Sequence, residues 1–103
     1  MLPYALYTRF ITHSNKGNAL IEILKKANQI VSAANGCRLY IINHEMGNND
    51  HIWVTELWDT PEAHAISLTL DGCKELVMEA MPLLASPPEQ TVLKAVAGKG
   101  VDV

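Results

Sequence analysis

Hydrophobic and polar positions recur with different periods along the chain, and each change of period marks a new element. Residues 4–13 are rich in aromatic and β-branched types, which are typical of a β-strand. Over residues 20–34 the apolar positions recur in steps of three and four, which predicts an amphipathic helix. Ser14 or Asn15 can cap its start, and the Asn-Gly pair at residues 35–36 can end it.

A hairpin and a second helical segment follow. Residues 37–45 read as a second strand, residues 47–50 (Gly-Asn-Asn-Asp) as a turn, and residues 51–58 as a third strand. Residues 59–62 (Asp-Thr-Pro-Glu) open a helix, because the aspartate or the threonine can cap it and proline suits the first turn.

The last third of the chain completes the fold. Asp-Gly at residues 71–72 interrupts the helix, Pro82 bends or ends it, and residues 91–96 read as a last strand. The order β-α-β-β-α-β predicts an α+β, ferredoxin-like fold, in which a four-stranded antiparallel sheet carries both helices on one face. We expect one domain over residues 1–103, with its core over about residues 4–97 and a short tail over residues 98–103.

The second face of such a sheet has no helix to cover it. Residues 39–42 are apolar on both sides of the second strand, so the open face is predicted to be apolar. We therefore expect a homodimer in which the open faces of two copies pack together. The alternative is a monomer with one polar sheet face.

Composition and charge exclude several function classes. Only 18% of the 103 residues are charged, below the roughly 25% usual for soluble domains, which fits a covered surface. The net charge is −3 and no basic cluster occurs, so nucleic-acid and membrane-surface binding are disfavoured. The sequence shows neither a transmembrane run nor a signal-type core, so we expect a cytoplasmic protein. Cys37 and Cys73 then read as buried hydrophobes rather than redox or nucleophilic groups.

Standard cofactor and metal motifs do not occur in the sequence. Gly98 and Gly100 lack the spacing of a phosphate-binding loop, and no dinucleotide fingerprint or nucleophile elbow is found. His44 and His51 could approach across the hairpin, but no third ligand lies at a fixed spacing from them. We therefore expect neither a bound cofactor nor a metal.

The stretch between residues 55 and 84 is the most informative for chemistry. Glu56 and Trp58 share one face at the end of a strand, and His64 lies one turn into the next helix, adjacent to Ser67. A tryptophan and a histidine placed in this way can converge on one pocket.

These motifs resemble the antibiotic biosynthesis monooxygenase family, which includes small quinol monooxygenases. The matching segments are Glu56-x-Trp58, Glu62-Ala63-His64, Ser67-Leu68 and Gly36-Cys37, and the element order matches over about residues 4–97. The resemblance implies a dimeric α+β barrel with a pocket in each subunit. It also implies oxidation of a small quinol- or anthrone-like aromatic by O₂ without metal or flavin.

The sequence departs from the family pattern at one position. Many members place the helix histidine nine residues after the tryptophan, whereas that position here is Ser67 and His64 lies six residues after Trp58. The identity of the catalytic base therefore does not carry over from the family.

The chemistry requires a base near the substrate hydroxyl, a donor for the resulting oxyanion and a dry pocket. His64 is the predicted catalytic base, because an unperturbed histidine titrates at about pH 6.5. The predicted substrate-binding residues are Trp58, Arg9, Tyr7, Glu56 and Ser67, with Tyr40 as a further donor. The structural alternatives are that Trp58 is a core residue, His64 a partly exposed first-turn residue, and Arg9 the partner of a carboxylate across the sheet.

Two other function classes remain open at this point. One is a non-catalytic or stress-response dimer that binds a small molecule, which a closed pocket around His64 and Trp58 would help to distinguish. The other is a haem-binding or haem-degrading relative, which would need an axial histidine within residues 71–84, where the sequence has none.

Overall fold

The computed structural model describes residues 2–101, and its element order confirms the predicted ferredoxin-like α+β fold. The strands are β1 (Tyr4–Ile11), β2 (Cys37–Glu45), β3 (Asn48–Trp58) and β4 (Glu89–Lys94); the helices are α1 (Gly17–Val31), α2 (Pro61–Ser67) and α3 (Cys73–Ala80), with a 3-10 turn at Met81–Leu83. Neighbouring strands are antiparallel, in the order β2-β3-β1-β4. Residues 102 and 103 of the predicted tail lie outside the described residues.

A carboxylate from the sheet caps the start of α1. The predicted caps, Ser14 and Asn15, are wrong, since Lys16 holds the cap position and makes no side-chain cap hydrogen bond. The Asp50 carboxylate instead accepts from the backbone N–H groups of Asn15 (3.1 Å) and Gly17 (3.2 Å). These hydrogen bonds, that from Asn15 first, lower the pKa of Asp50 below its usual range. The cap therefore joins α1 to β3.

The hairpin between β2 and β3 is tighter than predicted. Glu45 pairs with Asn48, so only Met46 and Gly47 lie in the turn, and Gly47 takes φ +84°. Asn48 and Asp50 favour turns by composition, but both lie in β3, where their side chains accept backbone hydrogen bonds. β4 likewise begins and ends two residues earlier than predicted.

The second helical segment is split where the sequence predicts, and the split positions the site. Thr60 caps α2, its hydroxyl accepting from the N–H of Ala63 at 3.0 Å. Gly72, at φ +94°, separates α2 from α3. α1 ends at Val31, earlier than predicted, and Gly36 then passes so close to α2 that a Cβ there would lie 2.7 Å from Ala63 Cβ. α2 therefore lies against β3, while α3 packs on α1.

The helices cover one face of the sheet and leave the other open. The covered face holds two buried clusters, Leu6, Val31, Trp58 and Cys73 in one and Leu20, Leu24, Ile52 and Val54 in the other. On the open face Tyr7 and Ile41 are 45% and 44% exposed, and Leu39 and Leu93 are also exposed. None of the helices within residues 2–101 has the length and apolar character needed to cross a membrane.

Candidate active site

A cavity of about 340 Å³ lies between the helical layer and the sheet. Its size falls within the range of roughly 300–1,000 Å³ that is usual for small-molecule sites. Apolar side chains from the helices and strands form most of its wall, among them Phe10, Leu24, Val54, Leu68, Leu76 and Met81. Its polar side chains fall into two sets, Tyr40, Glu56, His64 and Ser67 in one and Thr8 and Gln90 in the other.

Glu56 is the buried carboxyl of this cavity. It lies on the face of β3 that points toward the helices, and its carboxyl Oε1 accepts a hydrogen bond from Trp58 Nε1 at 3.0 Å. No lysine or arginine of residues 2–101 forms an ion pair with it. Burial raises the pKa of Glu56, and the hydrogen bond from Trp58 offsets part of that rise. A buried carboxyl without a cationic partner binds a proton more readily than an exposed one.

His64 faces Glu56 from α2. Its Nε2 lies 3.8 Å from Glu56 Oε1, which is too long for a hydrogen bond, and the two side chains form an ion pair only when the imidazole is protonated. The imidazole packs edge-on against Trp58 at 5.5 Å between ring centroids. Burial lowers the pKa of His64, so the neutral imidazole predominates near pH 7. The side chain is 15% exposed, so His64 is a partly exposed residue of the first turn of α2 that also lines the cavity.

Trp58 lies behind the cavity rather than at its surface. Its side chain is fully buried in the core cluster and does not line the cavity. Its indole N–H is already donated to Glu56. The alternative of a core residue therefore describes Trp58 better than a substrate wall, and its connection to the site runs through Glu56.

Ser67 and Tyr40 line the cavity with different hydrogen-bonding capacity. The Ser67 hydroxyl donates to the carbonyl of His64 at 2.6 Å, so its proton is engaged within the helix. Tyr40 lies directly across from Glu56 in the β2–β3 pairing. Burial, followed by the negative charge of Glu56, raises the pKa of Tyr40 far above its usual range. Tyr40 therefore remains a protonated hydroxyl donor.

Arg9 and Tyr7 do not join the other predicted site residues. They lie on the open face of β1, and neither lines the cavity. Arg9 forms an ion pair with Glu89 of β4 and lies 5.7 Å from the centre of the Trp53 ring. This is the alternative in which Arg9 pairs with a carboxylate across the sheet.

Thr8 and Gln90 also line the cavity, although they are not among the site residues predicted from the sequence. Gln90 Nε2 donates to Thr8 Oγ1 at 3.1 Å, and both side chains line the cavity. The alternation of β1 places Thr8 on the same face as Leu6 and Phe10, and that periodicity is the available signal. Gln90 gives no comparable signal, because only the pairing of β4 with β1 brings it to Thr8.

His44 and His51 do not form the metal site that the sequence analysis considered for the hairpin. His51 Nδ1 lies 3.2 Å from Glu45 Oε2, and Trp53 Nε1 donates to the other oxygen of Glu45 at 2.9 Å. Across residues 2–101, no three His, Cys, Asp or Glu side chains are grouped closely enough to hold a metal ion.

Comparison with known proteins relates the chain to one protein family and to several structures of the same fold. Residues 3–78 match the family model for antibiotic biosynthesis monooxygenase. A structure from Chloroflexus aurantiacus J-10-fl, provisionally identified as an antibiotic biosynthesis monooxygenase, is 31% identical with a TM-score of 0.83. The match covers 93% of this chain and 95% of that chain. No curated protein matches the chain.

Two more distant structures share the fold. A Mycobacterium tuberculosis protein is 21% identical with a TM-score of 0.85, over 94% of this chain and 98% of that chain. A Nitrosomonas europaea protein, also provisionally identified as an antibiotic biosynthesis monooxygenase, is 12% identical with a TM-score of 0.87, over 91% and 90% of the two chains. At these identities the likeness concerns the fold alone.

Proposed function

This chain belongs to the antibiotic biosynthesis monooxygenase family, and from that premise we propose that it is a cofactor-independent monooxygenase. The proposed substrate is a small quinol- or anthrone-like aromatic, which O₂ oxidises. The observation that carries the proposal is that the buried Glu56 and the mostly buried His64 face each other in the wall of an apolar cavity.

The first proposed step removes a proton from the substrate hydroxyl. His64 supports this step because its lowered pKa keeps the imidazole neutral near pH 7 and able to accept the proton. The substrate becomes an electron-rich oxyanion. Tyr40, which keeps its own proton because its pKa is raised, can donate a hydrogen bond to that oxyanion.

The second proposed step is electron transfer to O₂, for which the protein supplies an apolar enclosure. The anion gives one electron to O₂, and the resulting substrate radical and superoxide combine to form the C–O bond of a peroxide anion. This anion takes back the proton held by the His64 imidazolium and becomes a hydroperoxide. In an anthrone, the remaining hydrogen on that carbon leaves as a proton while the O–O bond breaks. A CH₂ group and O₂ thereby become a C=O group and water, so atoms and electrons balance.

Glu56 is proposed as a positioning residue for His64. The imidazolium formed in the first step lies 3.8 Å from Glu56 Oε1, where a carboxylate attracts it strongly because the surroundings are largely apolar. Trp58 holds the carboxyl in place through its indole N–H. Arg9 and Tyr7 have no role in this step, since they lie on the other face of the sheet.

The functional unit is proposed to be a cytoplasmic homodimer. Tyr7, Ile41, Leu39 and Leu93 present a partly exposed apolar surface on the open sheet face. Packing this surface against the same surface of a second copy removes it from water. Sedimentation equilibrium at micromolar concentration tests this point, and a stable monomer would contradict it.

Oxygen uptake tests the proposed activity. Metal-stripped protein is added to a panel of quinols and anthrones, and spontaneous oxidation is subtracted. We expect saturable uptake, and His64→Ala should reduce it by roughly 10²-fold if His64 is the base. His13→Ala is the matched control, because His13 is exposed and does not line the cavity.

The same panel separates the proposal from a binding function. Saturable binding without any protein-dependent uptake would indicate a small-molecule-binding protein. Uptake that His64→Ala leaves unchanged would retain the monooxygenase but remove His64 from its mechanism.

A further inference from the structure

The cavity has polar groups at two separate places, and only one of them holds the proposed base. We propose that Thr8 and Gln90 form a second recognition point, which binds a carbonyl-type oxygen at the far end of the ligand. The ligand class is then a flat aromatic with an ionisable hydroxyl at one end and a carbonyl acceptor at the other. This inference rests on the proposed function in assigning the hydroxyl to the His64 end.

The hydrogen-bonding state of Thr8 makes this second point a donor. Thr8 is buried, and its Oγ1 accepts from Gln90 Nε2 at 3.1 Å. Because the oxygen is used as an acceptor, the hydroxyl proton is free to be donated into the cavity. The second N–H of the Gln90 amide is also available there. Neither donor is acidic enough to give up its proton, so both favour an acceptor oxygen on the ligand. The neutral His64 can accept a proton and therefore favours a hydroxyl.

The strand register sets the distance between Thr8 and Glu56, the carboxyl that His64 faces. Glu56 pairs with Leu6, and Thr8 lies two residues further along β1 on the same face. Such diagonal neighbours in a sheet are roughly 7–8 Å apart. Side chains on one face stand nearly parallel, so their polar ends keep a similar separation. A single aromatic ring or two fused rings with an oxygen at each end span this distance.

The wall between the two points is suited to a flat apolar body. Val54 pairs with Thr8 across the sheet, and Phe10 follows on the same face of β1. Both line the cavity and carry no polar side-chain atom. A ligand body placed there loses contact with water without leaving a polar group unpaired.

Anaerobic calorimetry tests the inference independently of turnover. The probes are 6-hydroxy-1-tetralone, which has a hydroxyl and a ketone at opposite ends, and 5,6,7,8-tetrahydro-2-naphthol, which has the same skeleton without the ketone. The ratio of their dissociation constants is measured in the wild-type protein and in Thr8→Val and Gln90→Leu. Thr91→Val is the matched control, because Thr91 lies beside Gln90 on β4 but pairs with Tyr7 on the open face.

We expect the wild-type protein to prefer the ketone, and we expect the preference to fall by roughly threefold to tenfold in Thr8→Val, the range that a single hydrogen bond contributes. Gln90→Leu should reduce it in the same direction, and Thr91→Val should leave it unchanged. A preference that survives in both cavity variants would overturn the inference, as would failure of the wild-type protein to bind either probe. Binding with the expected pattern but without oxygen uptake would instead overturn the proposed activity alone.

Discussion

Trp58 Nε1 donates a hydrogen bond to Glu56 Oε1 at 3.0 Å, beneath the floor of the cavity. The two residues lie two apart on one strand, so their side chains share a face. The buried indole is therefore the fixed support of the carboxyl that His64 faces. A motif that reads as two separate site residues is therefore one structural unit.

Replacing Trp58 with Phe should destabilise the protein by about 1–3 kcal/mol, because it leaves the buried Glu56 carboxyl without its hydrogen bond. Chemical denaturation measures the free energy of unfolding. Trp53→Phe is the control, since Trp53 donates to the less buried Glu45. The double variant with Glu56→Leu, which removes the acceptor, should lose less than the sum of the single losses, and strict additivity would contradict the coupling.

Glu56→Gln should change how stability depends on pH. The folded protein raises the pKa of Glu56 above its ordinary value of 4.5, so it binds that proton more tightly than the unfolded chain does. The resulting stability is present below pH 4.5 and is lost as the pH rises through the folded pKa. The free energy of unfolding of the wild type, relative to Glu56→Gln, should therefore fall as the pH rises above 4.5. Denaturant titrations at several pH values measure this difference, and a difference that increases with pH would contradict the assignment.

His64 should set the acid limb of the activity profile. The neutral imidazole is the proposed base, and burial lowers its pKa below the ordinary value of 6.5. We expect kcat/KM to increase with pH through a midpoint below 6.5. A histidine ring NMR titration of the substrate-free protein should give the same midpoint. A ring that titrates above 6.5 would show that the imidazole is not in the apolar setting described for it.

Ser67→Ala should have a small effect on activity. Ser67 occupies the position where many family members carry histidine, but its hydroxyl donates to the His64 carbonyl within α2. We expect a stability loss of roughly 0.5–1.5 kcal/mol and a kcat within a few-fold of wild type. Steady-state kinetics decides the point, and a fall comparable to that of His64→Ala would assign Ser67 a direct role.

Gly17→Ala should be strongly destabilising, because a Cβ at Gly17 would lie 1.9 Å from the carbonyl oxygen of Asn49. The start of α1 or the start of β3 must move, and overpacking of this kind typically costs about 1–3 kcal/mol. Thermal unfolding measures the loss. Lys16→Ala is the neighbouring control, since Lys16 is exposed and its side chain makes no cap hydrogen bond. Equal stability of the two variants would contradict the close approach of α1 to β3.

Much of the fold is predictable because the signals are local. The period of the apolar residues distinguishes helix from strand. The Thr-Pro pair at the start of α2 and the glycine before α3 each mark a helix boundary within a few residues. The alternation of β1 also separates Leu6 and Thr8 correctly from Tyr7 and Arg9. The cap of α1 is not local, because Asp50 lies on a strand that comes later in the chain, and so the prediction of Ser14 or Asn15 fails.

The sequence by itself determined the order of the elements, the two faces of each strand, and the residues around Glu56, Trp58 and His64. Only the tertiary structure decided which face of β1 the helices cover, and hence that Thr8 lines the cavity while Arg9 and Tyr7 lie outside it. It also decided that Trp58 supports Glu56 from the core and that β4 brings Gln90 to Thr8. The physical reason is that strand alternation is a property of neighbouring residues, whereas burial and strand pairing depend on segments far apart in the chain.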